Sequence, residues 1–202
     1  MNQRARPYRS VLYVPASNQR AMEKVKSLPV DAIIFDLEDA VSAGEKENAR
    51  QVLGEALKTG GFGSTMKIVR INELSTQWGV DDAKAVAKMD CDAVLLPKVE
   101  SAGHIDALRE ITGDLPIWAM METPLAMLRA EAIAAMSQTT RMSVWVMGTN
   151  DIAKELRCAH TPLRLPMITS LGLSMLAARA YGIVMLDGVY NDIKDEDGFK
   201  EM

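Results

Sequence analysis

Seven short apolar runs recur along the chain: VLYVPA from residue 11, AIIFDLED from 32, KIVRIN from 67, AVLLPKVE from 93, PIWAMMET from 116, MSVWVMGTND from 142 and IVMLDGVYND from 183. Most are continuously apolar rather than alternating, as strands buried on both faces require. Between them lie segments with helical spacing, QRAMEKVKSL, EKENARQVLGEALKTG, GVDDAKAVAKM, SAGHIDALREIT and SLGLSMLAARAYG. Strand alternating with helix is the signature of parallel βαβ units. No GxGxxG follows the first run, so seven such units favour an α/β TIM (β/α)₈ barrel over a doubly wound dinucleotide fold. The expectation is one domain over 1–202 with the eighth strand absent, because DEDGFKEM falls where the helix after strand seven is due.

In a parallel barrel, chemistry gathers at the C-terminal ends of the strands. Polar residues fall there almost every time: Asp36, Glu38 and Asp39 after strand two, Arg70 and Asn72 after three, Lys98 and Glu100 after four, Glu122 after five, Gly148 to Asp151 after six and Asp187 after seven. A period of two puts Asp36 with Glu38 on one face, and Arg70 with Asn72 likewise. Carboxylates converging on one mouth repel unless cations or protons compensate them. Arg70 and Lys98 supply part of that charge, and a divalent metal held by Glu122 and Asp151 would supply the rest. Oxygen ligands with room for water suit Mg²⁺ or Mn²⁺ rather than zinc. The other reading of Glu122 is structural, as a cap on the helix after TP or as a partner of Arg70. Lys98 is read as neutralising Glu100 or the acidic mouth.

The 202 residues are 48% hydrophobic and 25% charged, enough for one substantial core. A net charge of -4 argues against nucleic acid or anionic lipid as the main partner, although Arg4, Arg6 and Arg9 cluster near the start. Cys91 and Cys158 have no metal or CxxC spacing and read as reduced, mostly buried thiols of a cytoplasmic protein. No apolar run reaches the length of a membrane span, and MNQRARPYRS lacks a signal-peptide core. The 14 methionines fall mainly at apolar positions and read as core filling. His104 and His160 read as solvated surface histidines.

Taken in order, RSVLYVPA, DAIIFDLEDAV, VRIN, LLPKVE, METPLAM, GTNDIAKEL and DGVYNDIKDEDGF resemble the citrate lyase beta subunit and malyl-CoA lyase group of the HpcH/HpaI aldolase and citrate lyase superfamily. The resemblance implies a TIM barrel lyase that uses Mg²⁺ to cleave or form a carbon–carbon bond beside a thioester. The implied substrates are acyl-CoA or acyl-carrier compounds of the citryl, malyl or citramalyl type, with a small oxo-acid as product. It implies Glu122 and Asp151 as metal ligands, and Arg70 as the grip on the oxo-acid carboxylate. It places the backbone of Gly148, Thr149 and Asn150 beside that product. Arg9 and Ser10 fall where coenzyme A contacts begin, and Asp36 and Glu38 support Arg70 or the metal's water. The group handles the enolate proton with an aspartate on a C-terminal lid, which these residues lack, and it assembles as trimers or hexamers. Two alternatives stand beside the lyase: a class II pyruvate aldolase without coenzyme A, disfavoured because DLEDAV offers no histidine base, and a paralogue that binds coenzyme A or metal without turnover.

Overall fold

In the computed structural model, which describes residues 8–201, all seven runs are parallel strands. They are β1 Val11–Pro15, β2 Ala32–Asp36, β3 Met66–Arg70, β4 Ala93–Leu96, β5 Ile117–Met121, β6 Met142–Met147 and β7 Val184–Leu186. The helices are α1 Gln19–Val25, α2 Lys46–Thr59, α3 Gly79–Val86, α4 Ala102–Thr112, α5 Pro124–Leu128, α6 Ala130–Ala135, α7 Thr149–Glu155, α8 Ile168–Ala180 and α9 Glu196–Glu201. Arg4 and Arg6 of the basic cluster lie outside the described residues.

The strands pair in chain order from β1 to β7 with no reversal, which is the order of a barrel and not of a doubly wound sheet. Seven strands leave the sheet open between β7 and β1. An apolar groove of about 770 Å³ runs there, lined by Val11 and Leu12 on one side and Met185 and Leu186 on the other.

Alternation along the strands sorts the core into two layers. Ile33, Phe35, Val69, Val94, Ala119 and Trp145 face the helices in one cluster. Ala32, Ile34, Ile68, Leu95, Trp118, Met120, Val144 and Val146 fill the inside of the curl, with Val11, Tyr13 and Leu186 packed against them. The Tyr8 ring meets Trp118 edge-on at 5.2 Å, joining the start of β1 to β5 across the interior. β2, β4 and β5 are buried at every position, so both faces of the central sheet are dry, which is why most runs read as apolar rather than alternating. Asn18 Oδ1 accepts the Ala21 amide to start α1, and Thr123 Oγ1 accepts the Ala126 amide to start α5, where Pro124 occupies the first turn.

Candidate active site

The inward register of β2, β3 and β5, carried past their last apolar residues, delivers Asp36, Arg70 and Glu122 to the C-terminal end of the sheet. Asp36 and Arg70 are paired neighbours in the ladder. Arg70 Nε and Nη2 donate to the two Asp36 oxygens at 2.8 and 2.6 Å, a bidentate fork between side chains 7% and 2% exposed. Arg70 Nη1 lies 2.8 Å from Glu38 Oε2 and 3.3 Å from Asp39 Oδ2. Asp36 also accepts the amides of Glu38 and Ala40, so its acceptors are filled and it anchors Arg70. From α2, Lys46 Nζ donates to the carbonyls of Leu37 and Glu38 and fixes this loop from behind.

Glu122 Oε1 accepts the backbone amide of Lys98 at 2.7 Å. Lys98 adopts φ 49°, a left-handed conformation uncommon outside glycine, and this turn aims its amide at Glu122. Its ammonium donates to Glu38 Oε1 at 2.6 Å and lies 3.7 Å from Asp151 Oδ2. Glu122 is 1% exposed, and its second oxygen lies against Gly148, where a Cβ would come within 2.5 Å of it. Asp151 follows in the first turn of α7.

Five carboxylates, of Asp36, Glu38, Asp39, Glu122 and Asp151, thus share the two cations Arg70 and Lys98. Burial pushes the Glu122 carboxyl up to about 7, against the charge and amide of Lys98, with Glu38 and Asp151 adding to the rise. Burial raises Glu38 too, opposed by Arg70 and Lys98. Burial works against the Lys98 ammonium, yet the hydrogen bond and charge of Glu38, with Glu122 and Asp151 beyond, hold it above the ordinary lysine value. A cleft of about 370 Å³ opens at this cluster, with Glu122, Asp151 and the Gly148 to Asn150 turn in its wall beside Tyr13, Asp36 and Arg70.

The donor set fits a hard divalent cation. Excess negative charge surrounds two carboxylates that follow the neighbouring strands β5 and β6, Glu122 and Asp151, and an oxygen of Glu122 is free of the Lys98 bond. Among the described residues no three His, Cys, Asp or Glu side chains gather closely enough to hold a metal alone. Two carboxylates leave the other positions to water and ligand, which Mg²⁺ accepts.

A family pattern, HpcH/HpaI aldolase/citrate lyase, matches residues 9–202. The chain belongs to this family of aldolases and lyases. Over 200 residues it is 52% identical to a (3S)-malyl-CoA thioesterase of Cereibacter sphaeroides, covering 99% of this chain and 69% of that protein. It is 34% identical to the citrate lyase subunit beta of Escherichia coli strain K12, covering 97% of this chain and 68% of that one. Its fold superimposes on the citrate lyase beta subunit of M. tuberculosis complexed with oxaloacetate and magnesium, with a TM-score of 0.82, 28% identity and coverage of 100% of this chain and 86% of that one.

The cleft of this family member brings together most of the residues expected from the sequence. Asp36, Glu38, Arg70, Glu122, Lys98 and Asp151 form one connected cluster, and Gly148, Thr149 and Asn150 line the cleft. Asn150 exchanges hydrogen bonds with Asn191 at 3.1 and 2.9 Å. Asp187 lines the cleft and pairs with Arg164 at 2.7 Å.

Other expectations change. Arg9 and Ser10 lie outside the cleft wall and line the groove between β1 and β7 instead. They precede β1, and residues before a parallel strand lie at its N-terminal end, so both donate to Asp31, just before β2, at the opposite edge. β3 ends at Arg70, and Asn72 turns away from Arg70 to donate to Asp82 and the Leu37 carbonyl. The α5 cap is Thr123, not Glu122, and Lys98 serves the mouth rather than Glu100. Cys91 and Cys158 are free and only half-buried, with burial pushing the Cys91 thiol up to about 12. His104 accepts the Glu100 amide at 3.3 Å and is half-buried, His160 is exposed, and neither lines the cleft.

Tyr13, Met120 and Val146 also wall the cleft, and in sequence each looks like ordinary strand filling. Their parity with Asp36, Arg70 and Glu122 along inward-facing strands was the available signal. Arg70→Lys keeps the charge and loses the fork, so it lowers stability by about 2 kcal/mol, read as a lower urea midpoint at unchanged slope.

Proposed function

We propose that the protein is an Mg²⁺-dependent, or Mn²⁺-dependent, enzyme that cleaves or forms the carbon–carbon bond of a 3-hydroxyacyl thioester. A citryl, malyl or citramalyl thioester of coenzyme A or an acyl carrier gives an acyl thioester and an oxo-acid. The observation that carries the reading is the Glu122 and Asp151 pair, facing the same cleft as the anchored Arg70. We read the sheet as part of a (β/α)₈ barrel in a single domain over 1–202. Among the described residues no helix is long and apolar enough to cross a membrane, which suits a cytoplasmic enzyme. Assembly as a homotrimer or hexamer belongs to the same reading, and α8 exposes Ile168, Leu173 and Leu176, an apolar face suited to it.

Glu122 and Asp151 are the residues that would hold the metal. When bound, Mg²⁺ supplies positive charge to oxygens whose negative charge grows as the bond breaks. The chain's own groups do the rest. Asp36 fixes the plane of Arg70, so the guanidinium meets a carboxylate without first reorganising. Asp39 is the long, exposed partner of Arg70 at 3.3 Å, and it yields that position to a ligand carboxylate. Lys98, held charged by Glu38, keeps positive charge beside Glu122 and Asp151.

A second reading is favoured by the 52% identity to a malyl-CoA thioesterase. The same thioester would enter, and water would break its carbon–sulfur bond. A pyruvate-type aldolase finds less support, since β2 ends in carboxylates and no histidine of the described residues lines the cleft. Incubation with malyl-CoA and Mg²⁺, following oxo-acid and free thiol in parallel, separates the outcomes. The lyase releases glyoxylate with acetyl-CoA and no free thiol. Hydrolysis releases coenzyme A thiol and malate without oxo-acid. Absence of both from the folded protein, across the citryl, malyl and citramalyl thioesters, sinks the proposal.

A further inference from the structure

Tyr13 has a hydroxyl that the fold does not use. The residue sits on β1 in inward register, its ring packed against the interior cluster and its face 5.3 Å from the Arg70 guanidinium carbon. Its oxygen is buried and has no hydrogen-bond partner. Tyr13 lines both the cleft at the sheet mouth and the groove between β1 and β7. A buried hydroxyl without a partner destabilises a folded chain, and phenylalanine would fill the same space without that penalty. The oxygen therefore needs another account, and a ligand in the cleft provides one.

The polarity of the cleft says which ligand group. Tyr13 and Arg70 bring donors, and burial holds the phenol above its ordinary value so that it stays protonated. Glu122 and Asp151 bring acceptors. A group that only accepts hydrogen bonds belongs on the donor side, and a carboxylate is such a group. We propose that Tyr13 is a substrate-binding residue whose hydroxyl donates a hydrogen bond to the carboxylate of the oxo-acid, beside Arg70. This rests on the reading that the cleft accepts an oxo-acid, and it adds an orientation, with the carboxylate toward β1 and β3. Ring stacking on Arg70 needs only the aromatic face, so the hydroxyl is separable from it.

The test is calorimetric titration of pyruvate and glyoxylate, and of neutral pyruvamide, into the wild-type chain and Tyr13→Phe at saturating Mg²⁺, with thermal unfolding of both. Tyr13→Phe raises Kd for the oxo-acids about tenfold or more, as loss of a hydrogen bond to a charged group does. Its preference for pyruvate over pyruvamide narrows, Mg²⁺ affinity is unchanged, and Tm is equal or higher because an unpaired oxygen has gone. Wild-type affinity in the variant overturns the assignment, as does a fall of several degrees in Tm, which would mean that the hydroxyl has a structural partner. Failure of the wild-type chain to bind any oxo-acid removes the underlying reading as well, and this shows before the variant is compared.

Discussion

Glutamine at position 122 removes Mg²⁺ binding in calorimetry and lowers kcat/KM on the thioester by about 10³-fold, the scale of losing a principal electrostatic group from an active site. The fold survives, because the amide oxygen still accepts the Lys98 N–H and the side-chain volume is unchanged. The same variant carries a stability signature with a definite sign. The folded Glu122 carboxyl is pushed from the ordinary 4.5 up to about 7, chiefly by burial. Its contribution is fully present below about 4.5 and is lost as pH rises through about 7, where the folded protein must hold a buried charge. Without metal, wild-type stability from this group falls between those values, and Glu122→Gln lacks that slope. Mg²⁺ competes with the proton, so its affinity in the wild type climbs with pH up to about 7 and then levels. Urea unfolding at pH 5 and pH 8 in EDTA, beside Mg²⁺ titrations at both, reads all of this. Undiminished metal affinity in Glu122→Gln rules the residue out as a ligand.

The strands were legible because most are apolar runs, and the central ones, β2, β4 and β5, are buried at every position, from Ile33 between the layers to Trp118 in the interior. Chain-order pairing follows from repeating βα units and could be expected as well. The short helices α5, α6 and α7 gave weaker signals: five to seven residues each cannot show a periodic face. At the site, the carboxylates announced themselves by breaking apolar runs at the strand ends. Their partners did not. Lys98 reaches Glu122 through a backbone amide turned by a left-handed residue, a contact that side-chain chemistry cannot reveal. The direction of β1 places Arg9 and Ser10 at the N-terminal end of the strand, bonded to Asp31 and lining the groove between β1 and β7 rather than the cleft. Tyr13 was hidden because its ring satisfies the same pattern as valine or isoleucine.

Alanine at position 148 costs about 10²-fold in turnover through displacement of Glu122 alone, the scale expected when a reacting group moves by about 1 Å. Gly148 precedes α7, and a Cβ built there falls 2.5 Å from both Cβ and Oε2 of Glu122 and 3.2 Å from the Met120 methyl. Neither Glu122 contact can relax cheaply. The Glu122 Cβ is fixed to β5, and its carboxyl is held on the far side by the Lys98 amide. The methyl therefore drives the carboxylate off its position or moves the turn that carries Asp151, and either displacement separates the two proposed ligands. Stability falls by about 1–3 kcal/mol, as overpacking does. The glycine at 172 on α8, where an added Cβ meets nothing within 4 Å, is the control. Mg²⁺ affinity separates the causes: it falls in Gly148→Ala and holds in Gly172→Ala. Unchanged metal binding and turnover in a folded Gly148→Ala protein overturn the requirement for close approach. What Gly148 supplies is the absence of a side chain, which lets a buried carboxylate from one strand lie against the backbone of the next.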